Sequence, residues 1–439
     1  MTQTALTALE QALLIADGPA ARSVFTLRLD ETARREAQAA DEARAHGDER
    51  PLLGALVTVK DNFDLAGFPT TAGSRLLADA APAAFDAPVV ERLRAAGCVL
   101  LGRTTMTEFA FSGLGLNPHD GAPANPAIPG GAHIPGGSSS GAAASVGLGI
   151  ARFAIGTDTG GSVRIPAAFC GLVGFKPTAS AVSRSGVLPL SETLDCVGVI
   201  ARDVEDCVVA FDVIRAEAPG NPEPHTRPPR LAVIEDYVAE DLDEDVRGPF
   251  EAALSRLAQA GVIVDRLALP VLRTIPDIQR EASFPAAEAW AWHSVYFKAG
   301  REGDYDPRVA ARIRLGEAMS AEALAQLRTA RRQLIESVRA EAADYDALVW
   351  PTTPCTAPRF DALQDDDAYF ATNARVLRNP GVANLLDAPS ISLPCPSAGA
   401  PVGMMLVGQS GGDDDLLALA GSLFSMIESR SDANSEIAL

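Results

Sequence analysis

The chain has 439 residues and carries 37 lysines and arginines against 57 aspartates and glutamates, a formal net charge of −20. A charge of that sign repels phosphate backbones and anionic lipid, which excludes nucleic acid and membrane surfaces as general partners. Hydrophobic residues make up 47% and charged residues 21%, the balance of a globular chain long enough for a large core.

The first eighteen residues lack a basic start and a cleavage site, and no apolar run reaches the ~18 residues of a membrane span, so the expected location is cytoplasmic. Residues 27–46, rich in Ala, Glu and Arg, predict an exposed helix. Leu56 to Val59 predicts a buried strand that Lys60 follows directly. In DAPVVERLRAAGC, Asp86 as N-cap, Pro88 and Gly97 predict a helix, and Cys98–Leu101 then reads as a strand. This β/α alternation favours an α/β class. The Pro/Gly/Asn-rich stretch 117–136 predicts a loop, and the small apolar residues 141–151 a buried helix.

The proline-rich stretch 218–230 reads as a surface connection into a strand at Leu231–Ile234. Residues 275–345 are helical by pattern, with Arg331-Arg332 on a solvated helix face. YDALVWPTTP, PSISLPCP and PVGMMLVG then read as strands that complete the same sheet, one domain over 1–439, with a frayed tail from Ser429. The acidic triplets Asp365–Asp367 and Asp413–Asp415 read as solvated loops rather than metal ligands. Cys98, Cys170, Cys196, Cys207, Cys355 and Cys395 form no C-x-x-C pair and read as reduced, mostly buried hydrophobes.

The chemistry concentrates between residues 136 and 171. In GTDTGGS, successive small residues before Ser162 let backbone N–H groups converge into an anion-binding nest. A serine at the end of such a nest can attack a carbonyl whose oxyanion rests on those amides. Serine needs a base to take its proton. None of the five histidines (His46, His119, His133, His225 and His293) stands in an HExxH pattern. A lysine can serve instead if burial keeps it neutral near pH 7, and Lys60, ending an apolar strand, is placed for burial.

Three segments, Val57–Gly67 (VTVKDNFDLAG), Gly136–Gly141 (GGSSSG) and Gly156–Gly171 (GTDTGGSVRIPAAFCG), resemble the signature of the amidase signature family. PTTAGS (69–74), residues 86–112, FKPT (175–178) and ETLDCVG (192–198) are similar as well, so the likeness is dense from about 51 to 215. The resemblance implies a mixed β-sheet covered by helices and a Ser–Ser–Lys triad that cleaves carbon–nitrogen bonds. The family's two serines lie 24 positions apart, which selects Ser138 as the partner of Ser162 among three adjacent serines. By carry-over Ser162 is the nucleophile, Ser138 the proton relay in a cis peptide geometry, and Lys60 the general base. The amides of Thr159, Gly160, Gly161 and Ser162 form the oxyanion hole, with Asp158, Arg164 and Ser139 in support. No cofactor or metal is implied, and a homodimer is the default assembly.

The chain departs from the family pattern at Ser140, His133-Ile134 and Cys196, where Gly, Arg and Thr are usual. The substrate pocket is expected among Phe109, Phe111, His133, Ile134, Phe284, Trp290 and Trp292. Residues 137–141 also satisfy G-x-S-x-G with Ser139 central, but a proline-rich loop stands where that motif needs a strand. The expected function is hydrolysis of a small-molecule carboxylic amide, with ester or carbamate cleavage by the same chemistry. Two alternatives share the scaffold: the glutaminase chain of a tRNA-dependent amidotransferase, which releases ammonia from glutamine, and an inactive binding protein. Weaker similarity after residue 215 favours the stand-alone hydrolase over the first, and retention of all three triad residues argues against the second.

Overall fold

In the computed structural model, which describes residues 3–215, 220 and 227–428, eleven strands form one continuous mixed sheet. They are β1 (Phe25–Arg28), β2 (Leu56–Lys60), β3 (Val99–Thr104), β4 (Phe153–Asp158), β5 (Val173–Lys176), β6 (Cys196–Ala201), β7 (Arg230–Ile234), β8 (Ile263–Leu267), β9 (Ala347–Pro351), β10 (Ser390–Cys395) and β11 (Val402–Val407). Their order across the sheet is β1-β3-β2-β4-β6-β5-β10-β11-β9-β7-β8. Parallel neighbours occur at β3-β2-β4 and β9-β7-β8, and every other adjacent pair is antiparallel. The α/β class and the helix-covered mixed sheet agree with the sequence reading.

Alternation along β2 sets up the site. Side chains of successive strand residues point to opposite faces. Val57 and Val59 enter a core shared with helices Pro88–Ala95, Val204–Ile214, Glu244–Gln259 and Asp413–Glu428. Thr58 and Lys60 therefore face the other side, where the Thr58 hydroxyl lies 2.9 Å from that of Ser145 in helix Ser140–Gly147. That helix is Ala- and Ser-rich and buried over nearly its whole length. Its small side chains allow close contact with the sheet, and an ideal Cβ on Gly141 would lie 2.4 Å from the Val24 carbonyl oxygen.

Several local expectations change. The segment 27–46 divides into the end of β1 and helix Asp30–Ala45, which buries Ala33, Ala37 and Ala40. Asp86 is no N-cap: its carboxylate accepts from the Ala66 amide and from Arg94 Nε, and Ala87 precedes the helix instead. The helix expected over 141–151 starts at Ser140 and ends at Gly147. Both acidic triplets open helices rather than loops. Asp365 caps Asp366–Leu385 by accepting from the Ala368 amide, and buried Asp413 accepts from the amide and hydroxyl of Thr178. Acidic side chains suit these positions because helix N-termini present free N–H groups. Arg332 is exposed as expected, whereas Arg331 is half-buried and its Nε donates to the Leu385 carbonyl. All six cysteines are free and buried. Most of the expected connection 218–230 and the tail from Ser429 lie outside the described residues. No helix among the described residues is long and apolar enough to cross a membrane.

Candidate active site

Lys60, Ser138 and Ser162 come together at the C-terminal ends of β2 and β4. Lys60 closes β2, and Ser162 sits on the turn between β4 and helix Arg164–Phe169. Ser138 lies just before helix Ser140–Gly147, and the Gly137–Ser138 peptide is cis. The Lys60 ammonium nitrogen is 2.8 Å from Ser138 Oγ, 2.8 Å from Thr157 Oγ1 and 3.3 Å from the Thr157 carbonyl oxygen. Lys60 is wholly buried. Burial pulls its pKa from 10.5 to about 7, and the nearby Asp195 and Asp158 carboxylates only partly oppose the shift. The serine loops are tied by the Ser139 amide, which donates to the Ser162 carbonyl at 3.2 Å. The Ser138 and Ser162 hydroxyls are not hydrogen-bonded to each other among the described contacts. Such bonds are often long before substrate binds.

The turn that carries Ser162 is braced from beneath. Arg164 and Asp158, both with no exposed surface, form a two-pronged pair at 2.8 and 3.0 Å. Asp158 also accepts from the amides of Gly161 at 2.8 Å and Val163 at 3.0 Å. Burial alone would raise the Asp158 carboxyl; the Arg164 guanidinium more than offsets this and holds it well below the usual carboxylate range. Asn384 closes the network by accepting from Arg164 Nη2 at 2.6 Å and donating to Asp158. Gly161 has φ of +125°, and an ideal Cβ there would stand 2.5 Å from Pro380. Its amide is engaged by Asp158, so it is withdrawn from the four expected to receive an oxyanion. The amides of Gly160 and Ser162 have no acceptor among the described residues.

A family model for amidases matches residues 19–417. The chain belongs to the amidase signature family. It is 36% identical to the 2-amino-5-chloromuconic acid deaminase of Comamonas testosteroni, over 90% of this chain and 86% of that one. It is 35% identical to the A chain of the glutamyl-tRNA(Gln) amidotransferase of Symbiobacterium thermophilum, over 92% and 89%. Among solved structures, an amidase superposes with a TM-score of 0.86 at 32% identity, covering 97% of this chain and 96% of that one. Amidase-family fold and carbon–nitrogen hydrolase class follow from these matches together with the sheet described above.

The pocket of this amidase differs from the sequence expectation. A small cavity of about 60 Å³ at Ser162 is lined by Phe111, Ser112, Leu190, Pro285, Arg312 and Leu377, among others. It shares Arg312, Pro285, Leu377, Thr159 and Gly160 with a larger cleft of about 680 Å³. Of the expected pocket residues, Phe111 lines the cavity. Phe109 is buried behind it, stacked among Trp292, His293 and Tyr305. Trp290 packs on Phe297, and Phe284 is buried in a separate core with Trp350 and Met405. His133 pairs with Arg359 in an isolated bridge, and Ile134 is buried with Leu114, Ile165 and Phe169. At the departures from the family pattern, Ser140 donates its hydroxyl to the Thr105 carbonyl. Cys196 lines a separate cavity of about 210 Å³ with Thr157 and Asp195.

The residues that sequence reading missed are Thr157, Asp195, Asn384 and Arg312. Thr157 and Asp195 lie inside the recognised segments GTDTGGS and ETLDCVG, and the charge of Asp195 between Leu194 and Cys196 was a usable signal. Buried Asp195 accepts from the Thr159 hydroxyl at 2.5 Å and from the amides of Leu190 and Ser191. Burial raises its carboxyl above the ordinary value. Half-buried Arg312 donates to the Phe111 carbonyl, and its guanidinium carbon lies 4.3 Å from the Phe111 ring centre. Desolvation pulls its pKa down to about 10. No carboxylate among the described residues is paired with it.

Proposed function

We propose that this amidase hydrolyses a carboxylic amide whose acyl part carries an anionic group, through a seryl acyl-enzyme. Neutral Lys60 accepts the proton of Ser138 as Ser138 accepts that of Ser162. Ser162 Oγ bonds to the amide carbon, and the oxyanion rests on the amides of Gly160 and Ser162, with that of Thr159 beside them. The relayed proton passes to the leaving nitrogen as the carbon–nitrogen bond breaks. Water, deprotonated by the same relay, then cleaves the ester to free the acid and restore Ser162. The observation that carries the reading is the 2.8 Å contact from Lys60 to Ser138 by a lysine whose pKa falls to about 7.

The acyl preference rests on Arg312. In a chain of net charge −20, the larger cleft is lined by Arg312, Arg375 and Arg378 against Asp241 alone among acids. Arg375 is paired with Asp243 at 2.7 Å, whereas Arg312 has no carboxylate partner among the described residues. A half-desolvated guanidinium beside the nucleophile favours a carboxylate ligand. The relative named as a deaminase of a chlorinated amino-muconic acid is consistent with an acidic substrate. The test is turnover of matched pairs: malonamate with propionamide, succinamate with butyramide, glutaramate with valeramide. Preference for the anionic members, lost in Arg312→Met, supports the reading; equal turnover of both members overturns it.

A second reading is favoured by the match to the amidotransferase chain over 92% of this chain. It has the same chemistry release ammonia from glutamine, whose carboxylate Arg312 would also suit. Turnover of half-amides by the isolated chain supports the stand-alone hydrolase. Glutamine hydrolysis that appears only with partner chains supports the amidotransferase role.

A further inference from the structure

Glu108 is a buried carboxylate that joins three separate segments of the chain, through Ser74, His119 and Asp306, and the proposed reaction gives it no role. It has no exposed surface. Its Oε1 accepts from Ser74 Oγ at 2.6 Å and is hydrogen-bonded to His119 Nε2 at 3.1 Å. Its Oε2 accepts from the Asp306 amide at 2.7 Å. Asp306 is the N-cap of helix Pro307–Arg314, its side chain accepting from the Arg308 amide at 2.9 Å. That helix carries Arg312 in its second turn. Burial raises the Glu108 carboxyl to about 7 against the pull of these hydrogen bonds.

The chain immediately after Glu108 is held in an unfavourable shape. Phe109 and Ala110 have φ of +49° and +60°. Non-glycine residues in this region cost about 1 kcal/mol or more each and persist only where the surroundings fix them. The result of those two turns is the position of Phe111, which lines the cavity beside Ser162 and receives the Arg312 guanidinium on its carbonyl and ring. The same segment touches the relay serine at its start, where the Thr107 amide donates to the Ser138 carbonyl at 3.1 Å.

We infer that Glu108 is a positioning residue for acyl-group recognition: by fixing the Asp306 cap and the 108–111 turn, it holds Arg312 and Phe111 as one anion-recognising unit against the cavity. The inference rests on the anionic-substrate reading above. Glu108 itself does not line the cavity, so its effect passes through Arg312. A residue that merely stabilised the fold would lower turnover of charged and neutral amides alike. A residue that places Arg312 changes KM for the charged member.

The experiment measures kcat and KM for succinamate and butyramide with wild type, Glu108→Ala, Glu108→Gln, Arg312→Met and the double variant Glu108→Ala/Arg312→Met. Glu108→Ala is expected to raise the succinamate-to-butyramide KM ratio about tenfold, the loss associated with one charge-assisted contact, with kcat for succinamate within about twofold. Glu108→Gln, whose amide oxygen can still accept from Asp306, is expected to restore most of the preference. The double variant is expected to match Arg312→Met, because both changes remove the same contact. Should Glu108→Ala not fold, Glu108→Asp carries the test: its shorter carboxylate cannot span Ser74 and Asp306 together, so the KM ratio rises. An equal loss for both substrates, or additivity with Arg312→Met, overturns the assignment of Glu108 alone. A KM ratio untouched by Arg312→Met overturns the anionic-substrate reading and this inference with it.

Discussion

Lys60 Nζ lies 2.8 Å from Ser138 Oγ at a point with no access to solvent. A buried amine beside a hydroxyl can take a proton only when it is itself neutral. Burial brings Lys60 to about 7, so it is neutral above that pH and protonated below it. The limiting slope of kcat/KM on the acid side is therefore about tenfold per pH unit, with an apparent pKa near 7. A pH–rate profile from 5 to 9 on a neutral amide checks this. A flat profile down to pH 5 rules out a lysine base.

Ser162, Ser138 and Ser139 should separate sharply. Ser162→Ala removes the proposed nucleophile, and turnover is expected to fall by about 10³ or more. Ser138→Ala removes the serine hydroxyl 2.8 Å from Lys60 Nζ and is expected to cost about 10²–10³. Ser139 donates its hydroxyl to the Thr157 carbonyl at a long 3.4 Å, so Ser139→Ala is expected to stay within about fivefold of wild type. Rates on one amide, with circular dichroism to verify folding, rank the three. A Ser139 effect as large as that of Ser162 would restore the G-x-S-x-G reading.

What sequence made legible was local. Lys60, Ser138 and Ser162 lie in short segments whose residue types are dictated by the backbone: Gly161 by a positive φ and the wall of Pro380, Gly141 by the carbonyl of Val24. The strand before Lys60 was readable because Leu56, Val57 and Val59 make a short apolar run broken only by the β-branched Thr58. β4 was not, since Phe153–Asp158 contains Gly156 and follows a small-residue helix with no clear break. The pocket was illegible for a different reason. Arg312 reaches Ser162 from a position 150 residues further on, and its neighbours in PRVAARIR give an ordinary amphipathic helix. Aromatic residues near the motif attracted attention, yet most fill the core behind it, where large apolar area is most valuable.

The Asp158–Arg164 pair makes a stability prediction of its own. Both side chains are wholly buried and each satisfies several partners around the nucleophile turn. Removing one member leaves the other as an uncompensated buried charge, at a cost of about 3–5 kcal/mol. Arg164→Met is therefore expected to lower the urea midpoint by a corresponding amount and to abolish turnover. Arg164→Lys, which cannot reproduce the two-pronged contact, is expected to fall between the two. Urea unfolding curves measured at pH 7 decide the order. A midpoint for Arg164→Met equal to wild type would mean that the buried pair makes no net contribution to stability and would overturn this prediction.

Lys60 also predicts a conflict between activity and stability. Its folded-state pKa is about 7 and its unfolded value about 10.5. Between these limits the unfolded chain binds a proton that the folded chain does not, so protonation favours unfolding. The destabilisation is complete below pH 7 and disappears as pH rises through 10.5. Lys60→Met removes the titrating group while keeping most of the apolar stem. Relative to wild type it is expected to be inactive but more stable at pH 7, with the advantage shrinking by about 1.4 kcal/mol per pH unit between 7 and 10. Comparing the two proteins at each pH cancels the titration of every other group. The measurement is the unfolding free energy of both from pH 6 to 10. A constant difference across that range would place the Lys60 pKa in the fold near its ordinary value and remove Lys60 from the role of neutral base.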